Sequence, residues 1–127
     1  MKRKIVETPI LTYFDPKKAT KVQCDASQKA LGAVLMQDGH VNAFANRSLS
    51  DTEKNYAQIE KELLAVVFAL DKFDQYVYGR QVIVKTDHKP LLPIMKKAIL
   101  QAPKRLQRML LQLQRYDINL IYRKIIL

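Results

Sequence analysis

Three carboxylates in the sequence stand in local contexts that a fold can bring together. Asp25 ends an extended run that begins at Thr20. Glu62 lies inside a long helical pattern, and Asp87 ends a second extended run. Converging acids repel one another unless cations neutralise them. Mg²⁺ suits such a cluster because it takes oxygen ligands and keeps several waters. The three acids are therefore candidate ligands of a magnesium site.

Each of these acids also has an ordinary structural role open to it. Asp25 can form a turn or cap through the residues that follow it, and Asp87 can cap a helix that starts at Lys89-Pro90. Glu62 can reach solvent or pair with a lysine. Taken singly, each acid fits its ordinary role better. The metal hypothesis depends on convergence, since ligands gather at the carboxyl ends of parallel strands in α/β sheets.

A helical wheel separates Glu62 from its neighbour Glu60. Apolar residues recur every three or four positions across residues 56–77, which predicts one long helix. At about 100° per residue, Glu62 falls beside the apolar stripe and Glu60 falls farther away. Ala65 and Ala69 share the Glu62 side of the helix, so the backbone there can approach a sheet closely. Glu62 is therefore the acid predicted to lie nearest the core, at the margin of the stripe.

The remaining elements follow from periodicity and turn signals, and they predict an α/β fold with a mixed sheet of about five strands and helices on its faces. Residues 1–19 are predicted to be a lead-in segment, and residues 20–127 a single domain. Asp38-Gly39 is a strong hairpin turn, a capping box at 50–53 starts the long helix, and Gly79 ends it. Strands are predicted at 20–26, 30–37, 41–45, 81–86 and 118–122, and further helices at 90–97 and 103–115.

The net charge of +10 is concentrated near the end of the chain. From Lys96 onward there are eight basic residues and one acid, Asp117. This asymmetry indicates a phosphate-backbone partner, although a merely solvated basic surface remains an alternative. A membrane surface is less favoured, because the basic helix carries no exposed Trp or Phe anchor. The candidate nucleic-acid-binding residues are Lys104, Arg105, Arg108 and Arg115.

Composition excludes several other classes. No apolar run approaches the roughly 18 residues that span a membrane, and no signal core follows the basic start. The single Cys24 rules out an internal disulfide and fits a reducing compartment, so the sequence predicts an intracellular protein, cytoplasmic or nuclear. Cys24, His40 and His88 are too few for a structural zinc site. Cys24 is expected to pack as a small buried hydrophobe.

At this point the chain resembles the ribonuclease H domain of gypsy-type (LTR) retrotransposon reverse transcriptases. The resembling segments occur in order along nearly the whole chain: residues 9–16 (PILTYFDP), 25–27 (DAS), 31–35 (LGAVL), 56–67 (YAQIEKELLAVV), 78–80 (YGR), 86–91 (TDHKPL), 105–108 (RLQR) and 116–117 (YD). The resemblance implies the ribonuclease H fold and Mg²⁺-dependent endonucleolytic cleavage of the RNA strand of an RNA–DNA hybrid. It also implies a polymerase domain of the parent polyprotein as a partner.

Residue by residue, the resemblance makes Asp25, Glu62 and Asp87 catalytic metal ligands. Two Mg²⁺ ions are expected, with Mn²⁺ as a substitute. A pair of such ions roughly 4 Å apart can activate a water and stabilise the leaving oxygen. His88, beside Asp87, is a candidate for proton transfer, although a lone His is more often structural.

The sequence departs from the family pattern after Arg123. The family continues there with a final helix that carries a fourth catalytic Asp, whereas this sequence ends at Leu127. The expectation is a domain that is C-terminally truncated, with its C-terminal helix missing and its second metal position weakened. The alternative to an active nuclease is a catalytically impaired nucleic-acid-binding or structural ribonuclease H-like module.

Overall fold

A computed structural model describes residues 11–86 and 104–122 of the chain, and the fold is given for these residues. Five strands and four helices occur in this part. In chain order they are β1 (Thr20–Ala26), β2 (Ala30–Gln37), β3 (His40–Ser48), α1 (Asp51–Lys54), α2 (Gln58–Lys72), α3 (Asp74–Val77), β4 (Gln81–Thr86), α4 (Lys104–Leu113) and β5 (Asp117–Tyr122). The predicted helix at 90–97 lies outside the described residues.

The strands form one mixed sheet in the order β3-β2-β1-β4-β5. The first three strands form an antiparallel meander, while β4 pairs parallel with both β1 and β5. The hairpin turn has the positive φ angles that its residues tolerate, 53° at Asp38 and 76° at Gly39. The predicted five-stranded α/β fold is confirmed, with β3 longer at both ends than predicted.

Chain direction gives the sheet two distinct edges. β1, β3, β4 and β5 run the same way, so all four end at one edge, which we call the carboxyl edge. The chain leaves β3 at this edge, where the Leu49 amide donates to the Lys29 carbonyl at 2.8 Å. It must return to the opposite edge to start β4 at Gln81. Helix α2 makes this return, so its first turns lie at the carboxyl edge.

The core lies between the sheet and helices α2 and α4. Alternate strand residues face the helices because side chains of a strand point to opposite sides of the sheet. The buried strand residues on this side include Val22, Cys24, Ala33, Leu35, Val82 and Val84. The apolar side of α4 covers α2 with Leu106, Met109, Leu110 and Leu113. Cys24 is 2% exposed, which confirms that it packs as a buried hydrophobe.

The prediction of one continuous helix across 56–77 is wrong, because this region forms two helices, α2 and α3, and the capping box starts a separate short helix, α1. The Ser50 hydroxyl accepts from the Glu53 amide and starts α1, as the capping box predicted. A second carboxylate cap follows, in which Glu60 Oε1 accepts from the Ala57 amide at 2.9 Å and starts α2. Phe73 then separates α2 from α3. The cap that Glu60 supplies to Ala57 therefore separates α1 from α2, whereas no side chain caps the break at Phe73.

The described part of the lead-in segment is held against the domain. The Thr12 amide donates to the Val41 carbonyl at 2.8 Å. The Gln37 side chain accepts from the Asp15 amide at 2.9 Å and donates to the Asp15 carbonyl at 2.8 Å. The Phe14 ring lies 5.0 Å from the ring of Tyr76.

None of the described helices is long and apolar enough to cross a membrane.

Acid is expected to weaken the fold through the ion pair between Arg47 and Glu53. Hydrogen bonds from Arg47, at 2.7 and 3.1 Å, lower the pKa of Glu53 to about 2 from its ordinary 4.5. The pair therefore stabilises the fold above the unfolded pKa, and its contribution is lost as the pH falls from 4.5 toward 2. Denaturant unfolding measures this effect. Between neutral pH and about pH 3, the free energy of unfolding of Glu53→Gln should fall by about 1 kcal/mol less than that of the wild type.

Asp51→Asn is the matched control on the same short helix, because the Asp51 carboxylate is exposed and its ion pair among the described residues is a long contact of 3.8 Å to Lys54. It should follow the wild-type pH dependence. If acid lowered the free energy of unfolding equally in Glu53→Gln and the wild type, the role of the Arg47–Glu53 pair would be contradicted.

Candidate metal and nucleic-acid site

Asp25 lies one residue before the end of β1, at the carboxyl edge. It is partly buried and stands opposite Gly32 of β2. A Cβ atom added at Gly32 would meet nothing within 4 Å, so the space beside Asp25 is open. A shallow depression of about 270 Å³ surrounds this point, with Phe44 and Asn46 of β3 on its rim. Asp25 therefore has both a fixed backbone and room for a ligand.

Glu62 lies in the second turn of α2 and is 5% exposed. The wheel placed it at the margin of the apolar stripe, and the structure places it farther in, among buried residues. Ala65 and Ala69 are fully buried one and two turns later, so small side chains do allow α2 to approach the sheet closely. The alternative of a glutamate that reaches solvent is wrong. A charged group this buried needs partners that balance it.

The two acids belong to elements that contact each other at one edge. Helix α2 packs on β1, and its first turns lie at the carboxyl edge, where Asp25 also lies. The third predicted ligand, Asp87, follows the last residue of β4 in the sequence but lies outside the described residues. His88 also lies outside them. Asp25 and the first turns of α2 thus lie at the same edge, but Asp25 follows Cys24 and so faces the side of the sheet away from α2.

The donor chemistry of this edge fits a hard divalent cation. Residues 11–86 and 104–122 contain no group of three or more His, Cys, Asp or Glu side chains that could hold a metal ion by themselves. They supply two carboxylates from separate elements, and carboxylate oxygens suit Mg²⁺. Cys24, the nearest soft ligand in the sequence, points into the core, with its sulfur 3.9 Å from the Lys85 carbonyl oxygen. The potential ligands at this edge are therefore oxygen donors.

Gln58 was not a candidate from the sequence, yet it contacts Glu62. Its side-chain Nε2 donates to Glu62 Oε2 at 2.6 Å. The signal available in the sequence was the spacing of four residues, which places two side chains on one helix face one turn apart. Gln58 is exposed whereas Glu62 is buried, so the amide reaches inward from the surface.

The start of helix α4 is attached to the start of α2. Arg105 Nη1 donates to both carboxylate oxygens of Glu60 at 3.1 Å, and its guanidinium lies 4.1 Å from the centre of the Tyr56 ring. Lys104 and Arg108 are exposed on the same two turns. In the described part of the chain neither of them forms an ion pair. The carboxyl edge therefore carries two cations whose charge is available to a partner.

Arg115 lies at the other end of α4, about 15 Å along the helix. Its Nη2 lies 3.3 Å from Asp74 Oδ1, and the Tyr116 hydroxyl donates to the same oxygen at 2.6 Å. Burial, together with this hydrogen bond, raises the pKa of Tyr116 to about 12. The four predicted nucleic-acid-binding residues thus divide into Lys104 and Arg108, which are exposed near the carboxyl edge, and Arg105 and Arg115, which are paired with acids.

Comparison with protein families gives a match over residues 15–116. The matching family is described as the RNase H-like domain found in reverse transcriptase. The match includes β1 to β4 and helix α4, and therefore both acids of the carboxyl edge.

The curated relatives are Pol polyproteins of transposons. The retrovirus-related Pol polyprotein from transposon 297 of Drosophila melanogaster is 48% identical over 91 residues, which are 72% of this chain and 9% of that protein. Those from transposons gypsy and opus of the same organism are 45% and 38% identical, over 67% and 97% of this chain. The chain spans only 8% and 13% of these two relatives.

Solved structures share the fold. The foamy viral protease-reverse transcriptase in complex with RNA/DNA hybrid superposes with a TM-score of 0.76 and 22% identity, over 92% of this chain and 17% of that one. RNase H1 from the halophilic archaeon Halobacterium salinarum superposes with a TM-score of 0.64 and 17% identity, over 83% and 86% of the two chains. The five-stranded sheet and its helices therefore have the ribonuclease H fold.

Proposed function

Because the chain belongs to the RNase H-like domains found in reverse transcriptases, we propose that it hydrolyses the RNA strand of RNA–DNA hybrids with the help of Mg²⁺. The observation that carries this proposal is the buried carboxylate of Glu62, held on α2 at the edge where β1 presents Asp25. Ligands of α/β sheets bind at the carboxyl ends of the strands, and titratable groups buried at such a place are candidates for function. The sequence neighbour of β4, Asp87, completes the proposed ligand set.

In the proposed site, Asp25, Glu62 and Asp87 hold two Mg²⁺ ions through carboxylate oxygens. When bound, such ions activate a water and neutralise the developing charge on the phosphate and the leaving oxygen. The protein provides the ligand positions, since Asp25 is on a central strand and Glu62 is on a helix packed against it. Rigid elements hold ligands more accurately than loops do.

The proposed substrate follows from the charge of the surface beside the site. Lys104 and Arg108 project from the first turns of α4, near the carboxyl edge, and can contact phosphates of one strand. Such contacts position a duplex without reading its sequence. One relative in the fold comparison, the foamy viral enzyme, was solved in complex with RNA/DNA hybrid. We further propose that in a longer polyprotein a polymerase domain delivers the hybrid to this domain.

A cleavage assay with separately labelled strands tests the proposed function. The 127-residue chain is incubated with an RNA–DNA hybrid and Mg²⁺, with single-stranded RNA and duplex DNA as control substrates. Internal cuts in the RNA strand of the hybrid only, abolished by a chelator, are expected. Salt-sensitive binding of the hybrid without cleavage would instead indicate a nucleic-acid-binding module. Neither binding nor cleavage would indicate a structural domain.

Arg108→Ala should weaken binding of the hybrid and reduce its salt dependence. Loss of one phosphate contact lowers the slope of log K against log salt by about 1. Arg115→Ala is the matched control, because Arg115 is paired with Asp74 at the far end of α4. Its salt slope should equal that of the wild type. Fluorescence anisotropy over a range of salt concentrations measures the salt slopes of both variants. A reduced slope for Arg115→Ala alone would place the nucleic acid at the Arg115 end of α4 and contradict the proposed contact.

A further inference from the structure

We propose that Gln58 is a positioning residue, which holds the Glu62 carboxylate in the orientation that binds metal. This role rests on the proposed function, and it assigns a purpose to a surface residue that charge and motif alone do not single out. Gln58 is the first residue of α2, and Glu62 follows one helical turn later. Their side chains share one helix face.

The contact is short and joins an exposed group to a buried one. Gln58 Nε2 lies 2.6 Å from Glu62 Oε2, within the range of strong hydrogen bonds to ionised groups. Glu62 is 5% exposed. A hydrogen bond to one oxygen of a buried carboxylate fixes rotation about its last torsion, which is otherwise broad. The amide thereby helps to orient both carboxylate oxygens.

The backbone that carries Gln58 is itself fixed. Glu60 Oε1 accepts from the amide of Ala57, the N-cap residue just before the helix, at 2.9 Å. Arg105 of α4 donates to both oxygens of Glu60. The first turn of α2 is thus held by its own cap and by a second helix. Gln58 therefore starts from a constrained position, as a positioning group requires.

The chemical type of the residue matches the task. A lysine or arginine at position 58 would add a positive charge that repels a divalent cation at Glu62. A carboxamide donates a hydrogen bond and carries no net charge. It can therefore orient the Glu62 carboxylate while the negative charge of that carboxylate stays available to the metal. Groups that hydrogen-bond a metal ligand in this way typically change metal affinity or activity by about 10-fold or more when they are removed.

The test replaces Gln58 with Met, which has a similar length and helix propensity but cannot donate. Binding of Mn²⁺ to the full chain without substrate is measured by electron paramagnetic resonance of the free ion. We expect Gln58→Met to weaken Mn²⁺ binding about 10-fold. The Mg²⁺ concentration that gives half-maximal cleavage should rise by a similar factor, while the rate at saturating Mg²⁺ stays close to that of the wild type. A role in helix stability alone would move the thermal midpoint and leave metal affinity unchanged.

Gln75→Met is the matched control, because Gln75 is an exposed glutamine on α3 that lies away from the carboxyl edge. Its Mn²⁺ affinity should equal that of the wild type. Wild-type affinity in Gln58→Met, or a shift in its thermal midpoint without a change in affinity, would overturn the positioning role and leave the proposed function standing. Absence of Mn²⁺ binding in the wild type would overturn both.

Discussion

Asp25→Asn is expected to reduce cleavage of the RNA strand by about 10³-fold, because it removes the charge of a proposed metal ligand and keeps its shape. Metal ions contribute several kcal/mol of transition-state stabilisation in such reactions, and each 1.4 kcal/mol is about 10-fold in rate. Asp25 is only partly buried and the space beside it is open, so the fold should tolerate the amide. Single-turnover cleavage at saturating hybrid measures the effect.

Asp117→Asn is the control for this substitution. Asp117 is an exposed carboxylate that begins β5, at the edge of the sheet opposite the proposed site. Asp117→Asn should cleave the hybrid at the wild-type rate, and both Asp117→Asn and Asp25→Asn should bind the hybrid. Equal losses in the two variants would mean that the carboxylates act through general charge, which would contradict a site at the carboxyl edge.

Glu62→Gln is the second substitution with a large expected effect, a loss of cleavage of about 10²-fold to 10³-fold. The glutamine has the size of the glutamate and keeps an oxygen that can accept from Gln58, so thermal unfolding should stay close to that of the wild type. The same cleavage assay, together with a thermal midpoint, measures both properties. A wild-type rate in Glu62→Gln would remove Glu62 from the proposed ligand set.

The matched control is Glu60→Gln, two residues away on the same helix. Glu60 caps α2 and pairs with Arg105, so its loss should lower the unfolding free energy by about 1 kcal/mol. Cleavage should be largely retained. The two substitutions are thus expected to affect different properties. Glu62→Gln lowers the cleavage rate, and Glu60→Gln lowers the free energy of unfolding.

The sheet could be predicted from the sequence because its signals are local. Alternating apolar residues and the Asp38-Gly39 turn defined the strands of the meander, and the structure confirms them. β1 lies beside β4 with a helical crossover between them, which is the connection that parallel neighbouring strands require. These features depend on short segments, in which the pattern and the turn residues agree.

The breaks in the long helix could not be read from periodicity. The apolar pattern keeps a period near 3.6 from Tyr56 to Val77, although α2 begins only at Gln58 and the backbone leaves the helix at Phe73. The first break coincides with a carboxylate cap that Glu60 supplies to Ala57, a residue without a capping side chain. The wheel assumed one buried face, whereas α2 packs against both the sheet and α4, so the wheel underestimated how far Glu62 is buried.

Contacts between distant residues were also beyond the sequence. Arg105 and Glu60 are 45 residues apart, and Arg115 and Asp74 are 41 apart. The sequence prediction, which rested on charge, therefore grouped Lys104, Arg105, Arg108 and Arg115 as one nucleic-acid-binding surface. In the described part of the chain, Arg105 and Arg115 form ion pairs with acids of other elements, whereas Lys104 and Arg108 are exposed and form none.

The central claim, that the acids of the carboxyl edge form a metal site, can be tested by following amide resonances during titration with small amounts of Mn²⁺. A paramagnetic ion broadens the signals of residues near it. We predict selective broadening around Asp25 and in the first turns of α2, from Gln58 to Glu62, with sharp signals retained around Asp74 and Asp117 at the opposite edge. Broadening centred on that opposite edge, or spread evenly over the chain, would contradict the account.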